Sequence, residues 1–145
     1  MKREEKYPET PYFTYYNANT KNKLGGDCVV RAIATALNQS WETTVRELTE
    51  LGIKKGLVLN DRKLYPKYLE LKGFTQQAEP RERYDNTKMS VKRFIHLNDE
   101  YLQDCVIVAN VGSHHVACIK DMRVHDTWDS SKETIHKYWI RKERI

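Results

Sequence analysis

The chain has 145 residues, 31% of them charged and 39% hydrophobic, with a formal net charge of +5. That length holds one domain with a real core, and the composition excludes a disordered tail. No apolar run approaches the roughly 18 residues of a membrane span, and the start MKREEKYPET lacks the apolar block of a secretory signal, so a cytoplasmic single domain over residues 1–145 is expected. Three cysteines at long spacings, Cys28, Cys105 and Cys118, suit free thiols rather than a disulfide scaffold or a paired zinc site. Lys and Arg are spread along the chain, with short clusters only at KREEK and RKERI, which describes a solvated basic surface and not a nucleic-acid-binding stripe.

In chain order, residues 1–20 and the tyrosine-rich YFTYYNANTKN over 12–22 read as a loop lying near the first helix. After Asp27, an N-cap residue type, Val29, Val30, Ile33, Ala36 and Leu37 recur at helical spacing until Asn38. A second helix opens at the N-cap Ser40, carries Trp41, Val45, Leu48 and Leu51 on one face, and is expected to stop at Gly52. A third lies in YPKYLELKGF, with Pro66 in its first turn and Gly73 as C-cap, and a short fourth starts at Ser90. The second half changes period: DCVIVANV, HHVACIKD, RVHDTWD and TIHKYWIRK are β-branched and aromatic segments, with KDMR closing a hairpin. Helices followed by strands predict an α+β domain, helices packed on an antiparallel sheet.

Cys28 opens the first helix, where unpaired N–H groups and the helix dipole favour a thiolate. Its own N–H can face an oxyanion formed on a carbonyl that the sulfur attacks, and Gly25 and Gly26 remove bulk ahead of it. Most free cysteines are merely packed, so the residue needs a base. GSHHVACIKDMRVHDTWDSS supplies one: along this strand His115, Ala117 and Ile119 share one face, and His114, Val116 and Cys118 the other. Across the hairpin Asp126 comes near His115, where it would orient the ring and stabilise the imidazolium. His114 is the alternative base if the strand phase is inverted, and Asp129, next to Trp128, is the alternative acid. Trp128 would shield the histidine–acid bond from water. Cys105 and Cys118 read as small core residues, and no C-x-x-C or H-x-x-x-H pair supports a metal site.

A helix-leading cysteine, then helices, a strand opening with His-Val-Ala and a hairpin to an acid near tryptophan resembles the papain-like cysteine peptidase superfamily. The order Cys28, His115, Asp126 is the order that superfamily uses. The resemblance is to its compact bacterial and phage members and to the double-glycine bacteriocin-processing peptidases; CVVRAIA is also similar to the Cys-x-x-Arg-Ala-Ile helix of OTU deubiquitinases. It implies a papain-like fold and a peptide or protein substrate, with a peptide or isopeptide bond cleaved through a thioester without metal or cofactor. Cys28 would be the nucleophile, His115 the base and then acid, and Asp126 the orienting group. Asn22 stands where the family has the glutamine that, with the Cys28 N–H, completes the oxyanion hole, and Asp27 puts a negative charge beside the sulfur. The alternatives are an acyltransferase of transglutaminase type, which passes the thioester to an amine, and a non-catalytic peptide-binding module of the same fold.

Overall fold

The run CVIVANV forms β3 (Cys105–Val111), and it is apolar at successive positions because both of its faces are covered. Around it the computed structural model, which describes residues 1–143, builds a six-stranded open sheet in the order β1-β5-β4-β3-β6-β2. The other strands are β1 (Phe13–Tyr15), β2 (Thr75–Gln77), β4 (His115–Lys120), β5 (Arg123–Asp126) and β6 (Ile135–Lys142). Arg144 and Ile145 of the RKERI cluster lie outside the described residues. All strand pairs are antiparallel except β1 on β5, which run parallel. The molecule is thus an α+β protein with N-terminal helices and a mostly antiparallel sheet.

On one face, α2 (Cys28–Leu37), α3 (Trp41–Lys55) and α4 (Leu64–Leu71) bury Val30, Ile33, Leu48 and Leu69 against Val106, Val108, Val116, Cys118 and Trp139. On the other, α5 (Val91–Leu97), α6 (Asp99–Leu102) and Phe13 cover Ile107, Ala109, Ala117 and Ile119. The expected helical layer is therefore joined by a second, smaller one. Residues 1–20 are also more than a loop: they hold α1 (Arg3–Lys6) and β1, whose register Phe13↔Val124 to Tyr15↔Asp126 adds an edge strand beside β5. A three-residue strand is too short for period-2 alternation to stand out among tyrosines.

The turn after β4 places Asp121 at φ 51° and Met122 at φ 60°, the two left-handed residues of a hairpin turn whose twist matches the strands. Ser40 and Ser90 cap α3 and α5, accepting from the N–H of Thr43 at 3.0 Å and of Arg93 at 3.1 Å. Gly52 does not end α3, as its type suggested. The helix runs to Lys55 and closes on Gly56 at φ 71°, while Gly52 is buried where the returning backbone of Leu57 touches it. A Cβ at position 52 would collide with the Leu57 carbonyl oxygen. Gly52→Ala is therefore expected to destabilise the fold by about 1–3 kcal/mol through overpacking, opposite in sign to the gain of up to ~1 kcal/mol usual for this exchange inside a helix; urea unfolding measures it. No helix among the described residues is long and apolar enough to cross a membrane.

Candidate active site

Asp126 is fixed from all sides. Its register neighbours Cys118↔His125 and Ile119↔Val124 carry it to the level of Ala117, one diagonal step from His115 on the same face. Oδ1 accepts the Thr127 N–H at 2.7 Å, and Oδ2 accepts His115 Nε2 at 2.5 Å. The N-terminal segment holds the end of the strand: the Tyr16 backbone N–H donates to the Asp126 carbonyl at 2.9 Å, and the Arg3 side chain donates from Nε to the Thr127 carbonyl at 2.7 Å. Asp126 is 5% exposed, so the carboxylate has little water to turn to. Trp128 lies obliquely against His115, ring centres 4.9 Å apart.

Cys28 is the first residue of α2, half-buried, with the free N–H groups of a helix start around it. Because Nε2 of His115 is committed to Asp126, Nδ1 is the ring nitrogen left for the sulfur. Burial alone would raise the Cys28 thiol; hydrogen bonding to His115 and to the Val116 N–H, with the charges of His115 and Arg31, brings it below its ordinary value instead. Burial likewise disfavours a charged His115, and the hydrogen bonds to Asp126 and Cys28 overcome it, raising the imidazole to about 9. Both shifts act in the direction that favours a thiolate beside an imidazolium.

Asp27 occupies the N-cap position of α2, but its side chain caps nothing. Its carboxylate is bonded to the Arg31 guanidinium one turn on, accepts Trp41 Nε1 at 2.9 Å and accepts Asn19 Nδ2 at 3.3 Å. The negative charge expected to oppose the thiolate is thereby matched by a buried cation, Arg31.

The remaining candidates are not gathered here. Asn22, at φ 56°, is exposed, accepts from Asn17 Nδ2 at 3.4 Å, and does not line the cleft that holds Cys28 and His115. Of the two oxyanion donors read from the sequence, Cys28 lines the cleft and Asn22 does not. Asp129 accepts the N–H and hydroxyl of Ser131 at 3.0 and 2.6 Å, a local turn bond, and it is Asp126 that meets His115. His114 is exposed at the cleft rim. Cys105 and Cys118 are buried, and the Cys118 thiol is pushed far up by burial. No group of three metal-ligating side chains occurs among the described residues.

The cleft, about 800 Å³, contains residues that sequence reasoning passed over. Tyr65 of α4 donates to Asn110 Oδ1 at 2.7 Å; burial first, and then the nearby charge of Cys28, pushes its phenol up. Asn110 lies at an irregularity in β3, where the register to β6 shifts between Ala109 and Val111. A lone amide in an otherwise apolar strand was the one signal available for it. His136 of β6 bonds to Glu79 and, through Nε2 at 2.8 Å, to the carbonyl of Gly112, clamping the turn that leads into His115. No known protein family matches this chain, nor does any curated protein or solved structure at a significant level.

Proposed function

We propose that this chain is a papain-like cysteine hydrolase acting on peptide or isopeptide bonds. The observation that carries the reading is the junction at His115: one ring nitrogen bonded to a buried carboxylate, the other left for a sulfur at a helix N-terminus, both opening on one cleft. The Cys28 thiolate attacks the carbonyl carbon, and the oxyanion forms beside the Cys28 N–H. His115 gives its proton to the departing amine as the C–N bond breaks, which leaves a thioester. It then takes a proton from water, whose oxygen attacks the thioester; the acid product leaves, and the proton returns the Cys28–His115 pair to its starting state. Asp126 holds the ring and offsets the imidazolium charge throughout.

p-Nitrophenyl acetate tests this without knowledge of the natural sequence preference. The expected result is a burst of nitrophenol, and mass spectrometry of the quenched protein places the acetyl group on Cys28. Acetyl on Cys105 or Cys118, or a Cys28→Ser variant with the same burst, overturns the proposal. An added amine then separates the two acyl fates, since accumulation of its acetyl amide in place of acetate marks a transferase.

A further inference from the structure

The cleft beyond Cys28 has an uneven charge. Arg62, from the segment entering α4, and Lys137 of β6 both line it; both are exposed, and neither has an ion-pair partner among the described residues. Arg62 lines the cleft together with Tyr65 and Cys28. Lys137 Nζ lies 5.9 Å from the ring centre of Trp139, whose side chain packs under α2 and α4. One carboxylate, Glu79, lines the cleft among the described residues, and it is already matched. Arg81 Nη2 lies 2.7 Å from it, and His136 Nδ1 bonds it.

His136 sharpens the balance. Both of its nitrogens are taken, one by the Glu79 carboxylate and the other by the Gly112 carbonyl. Glu79 is held below the usual carboxylate range by His136 above all. The acid is thus used up by its own neighbours, while two cations remain turned to whatever enters.

We infer that the cleft selects substrates carrying a carboxylate within a few residues of the scissile carbonyl, either an Asp or Glu side chain or a chain-terminal carboxylate. As a statement about substrates it rests on the hydrolase reading, but the charge selection itself is a binding property. A cationic cleft with low-dielectric walls concentrates anionic ligands and repels basic ones.

The test uses the full chain with Cys28→Ala and isothermal titration of acetylated, amidated hexapeptides that differ by Glu, Gln or Lys at one position, together with the Gln peptide bearing a free C-terminus. A carboxylate-bearing peptide is expected to bind about tenfold more tightly than its neutral match at low salt, with the gap closing as ionic strength rises. Preference for Glu assigns the side chain, and preference for the free C-terminus assigns the terminal group. The paired change Arg62→Glu and Lys137→Glu reverses the order in favour of Lys. Equal binding of all peptides, or an order unmoved by the charge reversal, overturns the inference. The acetyl burst probes Cys28 alone, so either result can fail while the other stands.

Discussion

Replacing His115 with alanine is expected to cost roughly 10²- to 10⁴-fold in turnover and about tenfold in the rate at which iodoacetamide alkylates Cys28 below neutral pH. In the proposed reaction the two losses differ because alkylation needs only the thiolate, whereas turnover also needs the proton that His115 would give to the leaving amine. Without the imidazole, burial is left to raise the thiol with only Val116 and Arg31 against it. The alkylated position is read by mass spectrometry, and a rate unchanged in the variant would remove His115 from the site. The pH dependence has a definite sign. Alkylation rises with pH as the Cys28 thiol loses its proton, at a pH below that of an ordinary thiol. Turnover falls again as His115 loses its proton near about 9. Asp126→Asn keeps an acceptor but removes the charge, so this upper limb moves to lower pH. The same linkage acts on stability: a histidine raised in the folded state stabilises fully below its unfolded value and loses that contribution as pH rises through about 9. In Asp126→Asn the loss sets in earlier.

Asp27→Ala is expected to lower stability by about 3–5 kcal/mol, a large share of the ~5–15 kcal/mol that holds a domain folded. Arg31 is only 9% exposed, and its Nε already lacks a hydrogen-bond partner. Taking away the carboxylate strands that cation and leaves Trp41 Nε1 without its acceptor. Paired replacement by Leu at 27 and Met at 31 is expected to be milder, since it removes both charges together. Urea unfolding of the three proteins measures this, and a loss under 1 kcal/mol in the single variant would mean that the pair is open to water. Alkylation gives an independent reading: in Asp27→Ala that is still folded, the unmatched Arg31 favours the thiolate, so Cys28 reacts no more slowly than before.

Sequence patterns located the helices α2 to α5 and the strands β3 to β6, because these segments show their period or carry a capping residue. They also brought Asp126 near His115 across the hairpin while leaving His114 and Asp129 as alternatives; the strand register and the His115–Asp126 bond pair these two. What they missed depends on contacts far apart in the chain. β1 and β2 have three residues each and acquire their identity from β5 and β6. Asp27 has the residue type of a cap, but its partners are a buried guanidinium and an indole from the next helix. Gly52 has the type of a helix stop, but it serves a close approach by Leu57. Asn22 was placed by counting back from Cys28, and counting cannot say which way a left-handed loop turns. The cleft residues Tyr65, Glu79, Asn110 and His136 come from four separate elements or connections, and none has a local pattern that marks it.

The parallel pairing of β1 with β5 also bears on the order of folding. It joins Tyr15 to Asp126 across most of the chain, the kind of contact whose loop-closure entropy must be met before it returns any stabilisation. The helix that bears Cys28 and the β4–β5 hairpin rest on local contacts, so they are expected to form before the topologically distant brace on Asp126. A chain in which that brace has not yet docked is expected to hold the hairpin and the helix while the edge of the sheet beside β5 stays open.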